Sequence, residues 1–325
     1  MQPFEYAKPT TKEQVARLLS GERSTALAGG SDLLALMKDG VETPGRLVDI
    51  RSVGELAGIR WDAKTGLRAG AVATVEQLAQ DVAVKREFPI LAKAAEHLAG
   101  PQIRHVATIG GNLCQRPRCW YFRNGYGLLP MHDGRSMVIE GDNRYHAILG
   151  NDGPAYFVQP STLAPLLVAL GAGVTLFGPQ GERRVDLERF YRIPAREGER
   201  EHDLRPGEIV TWLTVPPATG RKVASYEVRQ RQTLDWSLAT ASVVLDMDGP
   251  VVREARVVLG QVAPMPWVAK EAQELLRGKK IDEATAAQAG EAAVRGAKPL
   301  SGNRYKIQLT RTAVKRALLA AVREA

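Results

Sequence analysis

Apolar positions along the first hundred residues come in two rhythms, short unbroken runs and helix-spaced faces. Val15, Leu18 and Leu19 fall on one helical face behind Thr10 and Thr11, and Glu13 and Gln14 stand three residues after those threonines. This predicts a capped helix. Residues 25–28 read as a short buried strand, and Leu33-Leu34-Ala35-Leu36-Met37-Lys38 as the start of a helix. Leu47-Val48-Asp49-Ile50 and Leu67-Arg68-Ala69-Gly70-Ala71 read as strands. Thr74 then leads into a helix with Val75, Leu78 and Ala79 on its apolar face. Pro89 sits at the first turn of another helix, which carries Leu91, Ala94, Ala95 and Leu98. Alternation of strands with apolar-faced helices predicts a mixed α/β layer structure.

The pattern lapses over 114–147, where arginines and aromatics give way to Gly, Asp and Asn; this reads as a long ordered loop. Regular structure is expected again with Tyr156-Phe157-Val158 as a strand and 162–170 as a helix capped by Ser161. Val174-Thr175-Leu176-Phe177 and Arg183-Arg184-Val185 form a hairpin around Gly178-Pro179-Gln180-Gly181. The strand 209–215 runs into Pro216-Pro217, which cannot continue a central strand and marks a boundary. Beyond it, strands are expected over 224–229, 240–247 and 255–259, with Asp248-Gly249 turning between the last two. Helices over 268–276, 281–294 and 305–322 complete a smaller domain.

Two stretches carry candidate chemistry. Leu27-Ala28-Gly29-Gly30-Ser31-Asp32-Leu33-Leu34 places a glycine pair in a tight strand-to-helix turn, where missing Cβ atoms let successive N–H groups converge on an anion. Ser31 or Asp32 can cap the helix that follows. Thr108-Ile109-Gly110-Gly111-Asn112-Leu113 repeats the glycine pair between a hydroxyl and an amide. One such loop alone is as well explained by turn sterics; together they read as two walls of one diphosphate site. Neither is G-x-G-x-x-G nor G-x-x-x-x-G-K-[ST], so a Rossmann or P-loop nucleotide site is not indicated.

The paired loops, with Tyr156-Phe157-Val158, Pro160-Ser161-Thr162-Leu163-Ala164-Pro165, Pro206-Gly207-Glu208-Ile209 and the last helical segment, resemble the FAD-binding medium subunit of molybdenum hydroxylases. That group includes xanthine dehydrogenase, aldehyde oxidoreductase and carbon monoxide dehydrogenase. The resemblance implies an α+β chain. A vanillyl-alcohol-oxidase/PCMH-type FAD-binding domain of two α/β subdomains (1–217) would precede a carbon-monoxide-dehydrogenase-flavoprotein-like domain of antiparallel sheet and helices (222–325). It implies that Leu27, Ala28, Gly29, Gly30, Ser31, Asp32, Leu33 and Leu34 form one wall of the FAD site. Thr108, Ile109, Gly110, Gly111 and Asn112 would form the other, with Thr162 and Val210 as further cofactor positions. At Thr162 the family commonly has an acidic residue, and where Glu227 stands it often has a lysine; both are departures. The FAD would take electrons from a partner small subunit with 2Fe-2S clusters, fed by a large subunit with a molybdenum pterin cofactor, and pass them to NAD, oxygen, a quinone or a ferredoxin. The protein would supply position and electrostatics rather than a nucleophile or general base.

The 114–147 stretch resembles an insertion that in periplasmic aldehyde oxidoreductases and 4-hydroxybenzoyl-CoA reductase holds a 4Fe-4S cluster. Such a cluster needs about four thiolates. Only Cys114 and Cys119 are present, so an insertion without its cluster is expected. His132 and His146 are the remaining conceivable metal ligands there, and Trp120, Tyr121 and Phe122 are expected to pack the loop.

Composition narrows the function classes. The 325 residues are 44% hydrophobic and 25% charged, as in an ordinary globular protein. A net charge of +8 invites a nucleic-acid reading, but the one basic group, Arg116, Arg118, Arg123, Arg135 and Arg144, comes with no nucleic-acid motif. Two cysteines argue against a secreted disulfide scaffold. The N-terminus lacks a signal-peptide pattern and no run is long enough to span a bilayer, which points to the cytoplasm, or to the periplasm if a partner carries the export signal. Two other readings are a free-standing flavin oxidoreductase of the vanillyl-alcohol oxidase type, disfavoured by the short C-terminal domain, and a non-catalytic assembly subunit, disfavoured by intact glycine loops.

Overall fold

A computed structural model describes residues 1–231 and 235–323. Three sheets carry the architecture. Strands β1 (Glu5–Ala7), β2 (Ser24–Leu27) and β3 (Arg46–Asp49) form a small parallel sheet in the order β1-β3-β2, with Thr25 and Tyr6 both opposite Leu47. Strands β4 (Ile59–Asp62) and β5 (Gly66–Gly70) belong to a second sheet. A minor hairpin, β6 (Met131–His132) and β7 (Arg135–Ser136), lies in the insertion. The second sheet is completed by β8 (Gly173–Gly178), β9 (Gly181–Asp186) and β10 (Ile209–Val215), antiparallel throughout in the order β4-β5-β10-β8-β9. A third antiparallel sheet follows as β11 (Lys222–Arg229), β12 (Ser237–Asp248), β13 (Val251–Gly260) and β14 (Trp267–Val268). Helices Lys270–Leu276, Glu283–Ala293 and Tyr305–Arg323 pack on it. The chain is thus α+β, with two α/β subdomains and a smaller antiparallel sheet-and-helix unit.

Local sequence accounts for most boundaries. Thr11 accepts the Gln14 N–H and starts helix Lys12–Leu19, and Thr74 with Gln77 forms a reciprocal capping box at Val75–Gln80. Pro89 occupies the first turn of Pro89–Glu96. Helix Leu163–Ala169 is buried along its whole length because it is enclosed on two sides. It joins a core shared with β5, β8 and β10 and packs on the outer face of β12 and β13, so an all-round apolar helix is stable there.

Several expectations need correction. Tyr156-Phe157-Val158 is extended but joins no ladder; the Tyr156 carbonyl accepts from Ala147 N–H, and Gln159 N–H donates to Ala263 O, so its partners lie in two different segments. The 114–147 stretch is not all loop: besides β6 and β7 it holds the short helices Trp120–Arg123 and Met137–Glu140. The helix expected over 268–276 begins at Lys270, since Trp267 and Val268 pair with β13. Strand β4 and helices Val82–Glu87 and Pro101–Val106 carry no expectation above; the first is half-exposed and the helices are short. Residues 324 and 325 of the expected C-terminal domain lie outside the described residues.

Candidate cofactor site

The two glycine loops meet. A Cβ built on Gly29 would stand 1.9 Å from the carbonyl oxygen of Val106 and 3.1 Å from the Cα of Ala107, so only glycine lets the first loop lie against the chain entering the second. Gly30 follows at φ +71°, the left-handed conformation that turns the next amides inward. Gly110 is also closely packed, though less tightly: its Cβ would fall 2.9 Å from that of Ala71.

Backbone donors are divided unequally between the loops. Gly110 N–H donates to Ala71 O, Asn112 N–H to Thr108 O, and Gly111 N–H to the Thr108 hydroxyl at 3.0 Å. In the first loop, Leu34 N–H donates to Gly30 O. Among the described residues no hydrogen bond is made by the N–H groups of Gly29, Gly30, Ser31, Asp32 or Leu33. Five consecutive unspent donors around a left-handed glycine form an anion nest.

Asp32 does not cap the helix Leu33–Lys38 with its side chain; neither oxygen bonds a helix N–H. Its carboxylate is drawn instead to the insertion. It accepts from Arg116 N–H at 2.8 Å and from Arg123 Nη2 at 2.7 Å, and lies 3.0 Å from Arg118 Nη1. Arg116 also pairs with Glu42 and with buried Glu201. Burial opposes ionisation of Glu201, but His202, Arg116 and Arg200 outweigh it and hold the carboxyl below its ordinary value. Arg135 and Arg144 pair within the insertion, with Glu140 and Asp142. The basic group is therefore largely consumed by internal ion pairs.

Two cavities open on the loops. The larger, about 610 Å³, is bounded by Gly29, Gly30, Ser31, Thr108, Gly111 and Arg205, with Ala28, Asp32 and Leu33 also on its wall. The second, about 360 Å³, shares Ser31, Asp32, Gly111 and Gln115 with the first and continues past Asn112 and Thr162 to Arg118, Arg229 and Trp236. Asn112 is fixed by Ser161, whose hydroxyl donates to its Oδ1 at 2.6 Å while accepting the Ala164 N–H at 3.0 Å; Ser161 thus caps the buried helix as expected. Leu27 and Ile109 are buried behind the cavities, Leu34 packs beneath Gly30, and Val210 lies in the core on β10, lining neither cavity. Glu227 accepts from Arg229 at 2.9 Å and from Ser237, so its charge is neutralised inside β11 and β12. Gln115, Arg118, Arg229 and Trp236 are not among the cofactor positions expected from sequence; only the fold brings them to this cavity.

Residues 2–218 match the family described as the FAD binding domain in molybdopterin dehydrogenase. The chain belongs to this FAD-binding family. Residues 224–321 match the CO dehydrogenase flavoprotein C-terminal domain. The aldehyde oxidoreductase FAD-binding subunit PaoB of Escherichia coli (strain K12) is 34% identical over 82% of this chain and 84% of its own length. The carbon monoxide dehydrogenase medium chain of Afipia carboxidovorans is 32% identical over 86% of this chain and 82% of its own. Among solved structures, a chain of the Cu,Mo-CO dehydrogenase superposes with a TM-score of 0.78 at 28% identity, covering 100% of both chains. A chain of quinoline 2-oxidoreductase from Pseudomonas putida 86 gives 0.78 and 28%, covering 100% of this chain and 98% of its own.

The chain is accordingly a flavoprotein oxidoreductase subunit of the molybdenum-hydroxylase type, with FAD as its cofactor. The residues fit that group: an unspent amide nest, a Gly29 where a Cβ would close the junction of the loops, and two cavities that meet at Ser31, Asp32, Gly111 and Gln115. Among the described residues no cluster of three or more His, Cys, Asp or Glu side chains could hold a metal ion. Cys114 and Cys119 are free. Burial, with the Glu201 charge, pushes the Cys114 thiol up to about 12, and burial also raises Cys119, so both are protonated at neutral pH. His132 is on the exposed hairpin and His146 is 3.2 Å from Cys119 Sγ. No helix among the described residues is long and apolar enough to cross a membrane.

Proposed function

We propose that FAD lies across the two cavities with its pyrophosphate at the first glycine loop, and that the chain relays electrons within a heteromeric molybdenum hydroxylase. The observation that carries the placement is the run of unspent N–H groups from Gly29 to Leu33, facing a cavity that Thr108 and Gly111 close from the other side. Bound there, FAD supplies the redox chemistry. Gly29, Gly30, Ser31, Asp32 and Leu33 hold the pyrophosphate through backbone amides. The Thr108 hydroxyl, which accepts from Gly111, has its own proton to donate to a phosphate. Asn112, held by Ser161, fixes the second wall. The ring system takes the smaller cavity, beside Thr162, Arg118 and Arg229; Thr162 offers a hydroxyl where the family commonly has a carboxylate.

Electrons would reach this site from a small 2Fe-2S subunit serving a molybdenum-pterin large subunit. Aldehydes and N-heterocycles are the substrate classes the similarity to aldehyde oxidoreductase and quinoline oxidoreductase subunits favours. We place the complex in the cytoplasm, with export alongside a partner that carries a signal peptide as the alternative. The test is reconstitution: the purified chain should bind about one FAD, released by acid, and the flavin should bleach anaerobically with an aldehyde only when both partner subunits are present. A chain that takes up no FAD would sink the reading.

A further inference from the structure

Strand β11 (Lys222–Arg229) is the end strand of the third sheet and pairs with β12 alone. In an antiparallel ladder every second residue turns its N–H and C=O away from the partner strand, so the outer edge of β11 carries a row of donors and acceptors. Among the described residues, no backbone group outside β12 bonds the main chain of 222–229.

That edge is open. A groove of about 590 Å³ lies against β11 and is lined by every residue from 224 to 229. Successive side chains of a strand point to opposite faces of its sheet, so consecutive residues all meet one groove only where the groove follows the strand's edge. The other walls agree. Ala224, Tyr226 and Val228 belong to the core on the side of helix Tyr305–Arg323, which brings Ala320 to the groove. The remaining wall is helix Pro89–Glu96, with Ile90, Lys93 and Ala94 on one face; Arg229 Nη2 donates to His97 O at 3.3 Å and ties that helix to the strand. Charge defines what the edge takes. Lys93, Arg229 and Arg231 line the groove, and Glu227, the one carboxylate among the described lining residues, is already neutralised by Arg229 at 2.9 Å. Among the described residues Lys93 and Arg231 pair with no carboxylate. A second copy of this chain would set the same cations against themselves, whereas an extended acidic segment satisfies both the open edge and the cations.

We propose that β11 receives an extended, acidic segment of a partner polypeptide as an added strand, its main chain bonding the open edge and its carboxylates meeting Lys93 and Arg231. Main-chain bonds supply the affinity, and the cations select the sign of the partner's charge. Neither the FAD placement nor the redox role enters this inference.

The test uses the full chain and a fluorescent octapeptide that alternates valine with glutamate, acetylated and amidated at its ends. Anisotropy at low ionic strength should show saturable binding, weakened by added salt. Lys93→Glu combined with Arg231→Glu should weaken it roughly tenfold. Both side chains are exposed, and thermal melting verifies folding of the variant. Two peptide controls need no variant: lysine in place of glutamate should prevent binding, and methylation of two adjacent central amides, which removes a donor from each edge of the peptide, should abolish it. Deuterium exchange over 222–229 should slow when the acidic peptide is added. Absence of saturable binding, equal binding by the methylated peptide or by a folded double variant, or unchanged exchange over 222–229 would overturn the proposal. So would exchange there that slows with protein concentration alone, since a second copy would then occupy the edge.

Discussion

Arg123 Nη2 donates to Asp32 Oδ1 at 2.7 Å across 91 residues of sequence, tying the insertion to the first glycine loop. The Arg116 backbone N–H and the Arg118 guanidinium converge on the same carboxylate, and the side chains of Asp32, Arg116, Arg118 and Arg123 are mostly shielded from water. Asp32→Ala would leave the Arg118 and Arg123 guanidinium groups without their counter-charge and free the insertion from the nest. The expected loss is about 2–4 kcal/mol, below a fully buried pair because the arginines retain some exposure. Urea denaturation with FAD content measured in parallel checks it; unchanged stability would show that the carboxylate is not the anchor.

Glycine is required at one position and dispensable at another. Gly29→Ala must push back the Val106 carbonyl, now 1.9 Å from the added methyl, and spread the two loops apart. A cost of about 1–3 kcal/mol and a marked drop in bound FAD are expected. Gly54→Ala meets nothing within 4 Å and should change stability by no more than about 0.5 kcal/mol. Flavin absorbance per chain for the two proteins, expressed side by side, decides the matter.

Much of this site could be read from the chain because its determinants are local. Gly29 and Gly30 announce a turn, and Thr108 stands where a cap must be. Cross-chain pairing was not legible. Asp32 looked like a helix cap, since nothing in the neighbouring residues tells of arginines 84 and 91 positions away that would claim it. Arg116, Arg118 and Arg123 likewise read in sequence only as part of a basic group; the acids that pair with them, Asp32, Glu42 and Glu201, are distant in the chain. Tyr156-Phe157-Val158 has strand composition, but burial between the insertion and the third sheet explains its apolar character without a ladder. The second loop shows a subtler limit. Gly110 and Gly111 resemble the first pair in sequence, yet their amides are spent on Ala71 and Thr108, so their part is close packing rather than donation.

Ser161 serves two structures through one hydroxyl, capping the buried helix at Ala164 and orienting Asn112. Ser161→Ala should cost about 1–2 kcal/mol, from the lost cap and the unpaired Asn112 oxygen. Asn112→Ala in the Ser161→Ala background should then cost less than it does alone, because the pair acts as a unit. A double-mutant cycle by denaturant titration measures the coupling; strict additivity would separate the two roles.

Lys306 gives the chain a specific alkaline dependence. Burial lowers its pKa from the ordinary 10.5 to about 7, and among the described residues its partners are the carbonyls of Tyr145, His146 and Gln261. Between pH 7 and 10.5 the unfolded chain holds a proton on this amine that the folded chain has largely released, so unfolding takes up a proton and stability rises with pH. The contribution is complete above pH 10.5 and is lost as pH falls to 7, with a slope of at most about 1.4 kcal/mol per pH unit. Lys306→Met removes the titration while keeping the volume. The difference in unfolding free energy between wild type and variant should therefore shift in favour of wild type from pH 7 to pH 10, even though the variant leaves three carbonyls without a donor throughout. Equal slopes in denaturant titrations at pH 7, 8, 9 and 10 would mean that the buried amine keeps its ordinary proton affinity.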